Sequence, residues 1–190
     1  MQKNYLIIYC LVFLYSTSCN KVSTSPTNQL PPLTTEGLNT FGCLVNGKIF
    51  VPQKPSGDLG PYYGCQYQYI YPASNTPYIF GVYGKDKPNP GEFTNVLIDL
   101  DSVTVHQGDT FQLGLPSRHG KQSATYSSDP ANNAGIIDYN TTDSLTGQIT
   151  ITFFDKANQI ASGTFWFNAT DGTGDTVHIT EGRFDMHFIE

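Results

Sequence analysis

Apolar side chains recur at every second position over much of this chain, which is the spacing of a half-buried β-strand. The stretch from Gly147 to Phe188 shows it most clearly. Ile149, Ile151 and Phe153 alternate with Gln148, Thr150 and Thr152, and the polar residues 155–159 read as a turn. Ile160 to Phe167 forms the returning strand, with Phe165 and Phe167 on one face and Trp166 on the other. After the loop Asp171-Gly172-Thr173-Gly174-Asp175, Val177 and Ile179 alternate. Beyond Glu181-Gly182 the alternation resumes in a new phase at Phe184, Met186 and Phe188. Short polar turns between such segments predict antiparallel hairpins.

The rest of the body follows the same rhythm. Phe41, Cys43, Val45, Ile49 and Val51 share one parity, interrupted by Asn46-Gly47, a pair suited to a type I′ turn. Either two very short strands meet there or one strand is bulged. Tyr63, Cys65, Tyr67, Tyr69 and Tyr71 fall on one face, with Gln66 and Gln68 on the other. Further strands are expected around Tyr78–Tyr83, Val96–Leu100, Val103–Val105, Thr110–Leu115, Ser123–Tyr126 and Ile136–Tyr139. The pattern predicts an all-β fold, an antiparallel β-sandwich of roughly nine to eleven short strands. A calycin-like β-barrel is the alternative.

The first forty residues differ in kind. Lys3 precedes the apolar run Tyr5–Tyr15, and Ser16-Thr17-Ser18-Cys19 follows. Basic, apolar and small-residue segments in that order describe a secretory signal, and the run is short for a membrane span. The residues before Cys19 resemble the lipobox of bacterial lipoprotein precursors. That resemblance implies acylation of Cys19, with Ser16 standing where leucine is usual. Membrane lipid is then the first expected partner. Residues 20–35 are rich in Ser, Thr, Pro and Asn and read as a tether. The expected organisation is a signal peptide over 1–18, a tether over 19–36 and one β domain over 37–190, held in the cell envelope and expected at the outer membrane.

Composition narrows the partners. Sixteen acidic side chains face ten basic ones, a formal charge of −6, and the basic residues form no stripe. Nucleic acid is therefore not an expected partner. Cys10 belongs to the leader and Cys19 to the anchor, which leaves Cys43 and Cys65. In an exported chain that pair predicts a disulfide, with two buried thiols as the alternative.

Candidate chemistry is sparse. His106, His119, His178 and His187 show no metal-binding spacing, and His178 and His187 should point outward from strands. Asp171 and Asp175 could offer oxygens to calcium, but the twelve-residue loop pattern is missing and a solvated hairpin loop is the simpler reading. No GxSxG elbow occurs, and Glu181 with Asp185 does not define an acid–base pair. No cofactor is expected. The tyrosine face, through Tyr67, Tyr69 and Tyr71, is a candidate surface for a glycan, peptide or envelope protein; inward packing of the rings is the competing account. Asp101-Ser102-Val103, Asp143-Ser144-Leu145 and Asp175-Thr176-Val177 resemble the O-glycosylation signal of exported Bacteroidetes proteins, which implies glycans on Ser102, Ser144 and Thr176.

Taken together, Asn39 to Lys48, Ser162 to Phe165 and Ile179 to Asp185 resemble the DUF6252 family of Bacteroidetes lipoproteins. The resemblance implies an exported all-β domain and supplies no catalytic roles. A non-catalytic binding or structural module is the expected function. The alternatives are a hydrolase acting on an envelope or glycan substrate and a β-barrel carrier of an apolar ligand.

Overall fold

A computed structural model describes residues 29–53, 60–69, 78–87, 91–114, 122–130 and 135–190. The leader, Cys19, Tyr71 and His119 lie outside the described residues. Eleven strands run in chain order: β1 (Thr40–Val45), β2 (Lys48–Phe50), β3 (Tyr63–Tyr69), β4 (Tyr78–Asp86), β5 (Glu92–Val103), β6 (Thr110–Leu113), β7 (Gln122–Pro130), β8 (Ile137–Asn140), β9 (Gly147–Asp155), β10 (Ile160–Thr170) and β11 (Thr176–Ile189). They form one mixed sheet in the order β2-β1-β11-β3-β4-β5-β7-β8-β10-β9-β6.

The sheet doubles back on itself, because β11 also pairs with β10. The seams are thin: β8 meets β10 at Thr170↔Asn140, and β3 meets β11 at two positions. The architecture is all-β and consistent with a sandwich. Pairing is antiparallel except at β3, which lies parallel to β11. The reason is the length of β11, whose one edge seats β1 along residues 179–185 and still has Phe188 and Ile189 left for β3. The interior is filled by residues such as Phe41, Phe80, Ile98, Leu100, Ile149 and Phe167, all essentially inaccessible to water. Burying each such side chain contributes about 1.5–3 kcal/mol. The interior that an apolar-ligand carrier would need hollow is packed at these positions.

Two register effects depart from simple alternation. The hairpin turn at Asn46 and Gly47 has φ of 49° and 78°, as a type I′ turn requires, and pairs Val45 with Lys48, Leu44 with Ile49 and Cys43 with Phe50. Phe50, not Ile49, therefore enters the core, and Ile49 is exposed. In β9 an extra residue lies between the pairs Ser162↔Phe153 and Gly163↔Ile151. The bulge turns Phe154 inward in place of Phe153, and its ring stacks on Phe188 at 5.2 Å.

The phase change at Glu181-Gly182 is a bulge inside a single long strand. Both neighbours slip there: Gly42↔Arg183 is followed by Leu44↔Thr180, and Phe165↔Gly182 by Phe167↔Ile179. Glu181 takes φ of 51°. Val177 and Ile179 then face inward on one parity and Phe184, Met186 and Phe188 on the other.

The segment before β1 corrects the expected tether, whose last residues belong to the folded body. Pro31 lies so close over Gly42 that a β-carbon there would stand 2.7 Å from its Cδ. Thr34 and the amides of Glu36, Gly37 and Leu38 bond to Asp185 on β11. Residues 29–38 thus form a strap across the outside of β1, β11 and β10.

Candidate functional site

The outer face of β6, β9, β10 and β11 presents two rows of polar side chains. Gln112, Gln148 and Trp166 stand in one register line, and Thr110, Thr150, Thr164 and Arg183 in the next. The hydroxyls of Thr110 and Thr150 share a hydrogen bond at 3.1 Å. Trp166 is 42% exposed, although its neighbours Phe165 and Phe167 are core. Strand alternation alone sends the indole outward, where it stays part-exposed.

Beside the indole lies an open depression of about 230 Å³, bounded by Leu33, Gln148, Thr150, Thr164, Glu181 and Arg183, with Phe165 and Gly182 at its floor. The β11 bulge shapes its far wall, because the backbone at Glu181 turns the carboxylate back toward the guanidinium. Arg183 Nε donates to the Glu181 carbonyl at 3.1 Å and Nη2 to its carboxylate at 3.4 Å. The charges offset one another, so the depression offers an aromatic face, hydroxyls, an amide and a locally neutral ion pair.

The lower half of this face is closed by the strap. Ser162 and Asp185, opposite each other on β10 and β11, are fully buried there. The Asp185 carboxylate accepts from Ser162 Oγ at 2.7 Å, Thr34 Oγ1 at 2.6 Å, Gly37 N at 2.8 Å, Glu36 N at 3.1 Å and Leu38 N at 3.2 Å. Burial alone raises the carboxyl's pKa, but these donors outweigh it and hold the group below the usual carboxylate range. A carboxylate so fully engaged serves as a structural anchor and has no lone pair to spare for acid–base work.

The tyrosine face divides. Tyr67 is a core residue, 2% exposed, with its hydroxyl accepting from Val105 N at 3.4 Å and its ring stacked on Tyr78 at 4.2 Å. Tyr69 is 41% exposed and packs edge-on against Tyr78. Lys156 lies 4.8 Å over the Tyr78 ring, so these aromatics pin the β9–β10 turn to β4. Tyr67 is thereby removed from the candidate surface.

Cys43 and Cys65 are separate buried thiols, in place of the expected disulfide. They stand on β1 and β3, which β11 separates in the sheet. Burial pushes both thiols far above their ordinary range, so they behave as small apolar side chains. Of the three glycosylation candidates, Ser144 and Thr176 are exposed, whereas Ser102 is half-buried at φ 60° with its hydroxyl bonded to Asp101.

His106, His178 and His187 are exposed, and among the described residues no group of three His, Cys, Asp or Glu side chains could hold a metal. Asp171 is occupied by its own loop, accepting from Thr173 N, Thr173 Oγ1 and Asp175 N. Asp99 and Asp101 share the outer side of β5, and burial together with the Asp101 charge raises the Asp99 carboxyl. No third His, Cys, Asp or Glu joins that pair in a metal-holding group among the described residues.

A larger groove of about 370 Å³ runs between the strap and the body, lined by Leu30, Pro31, Phe41, Val51, Pro52 and Tyr63 among others. It is mostly apolar and has few convergent polar groups, so it orients a ligand less well than the Trp166 face. Strand alternation puts Trp166 on the face opposite Phe165 and Phe167 without marking it as a site. The signal was the run of Gln and Thr at the opposite parity of β9 and β10.

No curated protein and no solved structure matches the chain. A family model described as a domain of unknown function (DUF6252) matches residues 91–186, which takes in β5 to most of β11 and every residue of the Trp166 depression except Leu33. That match covers just over half of the chain, which therefore belongs to the DUF6252 family.

Proposed function

We propose that this protein is an envelope lipoprotein, anchored through acylated Cys19, whose β domain binds a neutral glycan on the Trp166 face without catalysis. The observation that carries the reading is an exposed indole set in a field of Gln and Thr side chains on a rigid sheet. A pyranose presents an apolar C–H face, which packs on an aromatic ring, and equatorial hydroxyls, which need donors and acceptors at the ring's edge. Gln148, Thr150, Thr164, Glu181 and Arg183 supply both kinds. A chain with formal charge −6 and a self-neutralised Glu181–Arg183 pair favours an uncharged saccharide over a polyanion.

Trp166 is the chain's single tryptophan, so its fluorescence reports the site directly. Titration with neutral oligosaccharides (gluco-, manno- and xylo-hexaoses) is expected to quench or shift the emission. Trp166→Ala should weaken retention on the matching polysaccharide by at least about thirtyfold, the size of an aromatic hot spot. An unchanged affinity in that variant would remove the reading. The anchor is tested separately: Cys19→Ser should move the protein out of the membrane fraction, and mass spectrometry of the native protein should find lipid on Cys19.

A further inference from the structure

The strap borders the Trp166 depression as well as covering the face beside it. Leu33 is 64% exposed, lines the depression, and immediately precedes Thr34, whose hydroxyl is fixed to Asp185 Oδ2 at 2.6 Å. The next bonded groups are the amides of Glu36, Gly37 and Leu38, so the strap is held at four points on one carboxylate. On the same side of β11 the order is Arg183 in the depression, Asp185 under the strap and His187 beyond, where a β-carbon on Gly37 would lie 2.8 Å from the imidazole. One open face is thereby divided into a covered half and an exposed half, and Leu33 stands at the border. A large apolar side chain left in water beside an exposed indole extends the apolar surface that a ligand can cover.

We propose that Leu33 is a specificity-determining residue, the apolar wall of the Trp166 site, and that the Asp185 latch sets the position of that wall. This rests on the glycan reading given above. The wall comes from the segment leading back toward the membrane anchor, so whatever displaces the strap also reshapes the site. Ligand and latch are then coupled: a saccharide wedged between Trp166 and Leu33 binds the latched state better than the released one, and so holds the strap down.

The experiment uses the full chain with Leu33→Ala, Thr34→Val and Thr34→Ser. The first readout needs no ligand: acrylamide quenching of Trp166 should rise about twofold in Leu33→Ala, because the depression beside the indole loses its apolar wall and opens to the quencher. Thr34→Val removes the donor and keeps the shape, so exchange of amides 36–38 should accelerate about tenfold and quenching should rise again, with Thr34→Ser restoring both. The second readout is affinity for the neutral hexaose the wild type binds, expected to fall about tenfold in Leu33→Ala with the unfolding midpoint unchanged. Unchanged quenching and unchanged affinity in Leu33→Ala, with wild-type binding intact, overturn the wall and leave the glycan reading standing. Raised quenching in a protein that binds no hexaose supports the position of Leu33 and refutes the glycan reading instead.

Discussion

Asp185→Asn is the sharpest perturbation of the fold, because the change is isosteric and its cost can be followed atom by atom. In the native protein Oδ1 accepts from Gly37 N and Ser162 Oγ, and Oδ2 from Thr34 Oγ1, Glu36 N and Leu38 N. An amide retains one acceptor. With its oxygen at the Oδ1 position it keeps Gly37 and Ser162, though without the charge that strengthens both bonds. Its NH₂ then confronts three donors. The Thr34 hydroxyl can rotate to accept, whereas the Glu36 and Leu38 amides cannot. Two stranded, part-buried donors, at about 1–3 kcal/mol each, give an expected destabilisation of about 2–6 kcal/mol, toward the lower end because both are only partly shielded from water. Peeling of the strap would return those donors to water and cap the loss, so exchange of amides 36–38 should be measured beside urea unfolding at pH 7. A loss under about 0.5 kcal/mol with unchanged exchange would refute the latch.

The pH dependence of the same pair has a definite sign. The folded-state pKa of Asp185 is depressed, so its contribution is complete above the ordinary carboxylate value and is lost as pH falls through that value toward the lower folded one. The stability gap between wild type and Asp185→Asn should be flat from pH 6 to 8 and close below about pH 4.

Three further tests address packing and chemistry. Gly163→Ala places a β-carbon 2.4 Å from the Thr150 carbonyl oxygen and 2.8 Å from the Phe184 ring, so it should cost about 1–3 kcal/mol or more by overpacking, read as a lowered urea midpoint. Gly47→Ala meets no atom within 4 Å yet sits at φ 78°; its expected cost of about 1 kcal/mol is purely backbone, and Gly47→Asn should recover most of it. Native blocking with a light alkylator, then unfolding and a heavy one, should put the heavy label on both Cys43 and Cys65 without reductant; labelling that requires reductant would mean that the two are joined.

Much of this fold is already written in the order of residues, because strand alternation is a local property. The inward sets Val177 and Ile179, then Phe184, Met186 and Phe188, and even the phase break at Glu181-Gly182, follow from the two-residue period. So do the outward placements of Trp166, His178 and His187. Asn46-Gly47 likewise suits a type I′ turn, since few residue pairs tolerate two positive φ angles, but that it joins two strands and does not bulge one is decided by the pairing of β1 with β2.

What the chain order could not settle is anything decided between strands. Whether Phe153 or Phe154 turns inward depends on a bulge against β10, and whether Ile49 or Phe50 does so depends on the register across a two-residue turn. Cys43 and Cys65 read as partners by compartment, yet a third strand lies between theirs. The strap is the clearest case. Residues 29–36 share the composition of the expected tether, and nothing near them in sequence holds them down. They become part of the body because Asp185, about 150 positions later, turns its carboxylate to the outer side of the sheet and takes four of its five donors from the strap. Local patterning chooses which face a side chain takes, and the long-range hydrogen bonds of one buried carboxylate choose what covers that face and what it leaves open.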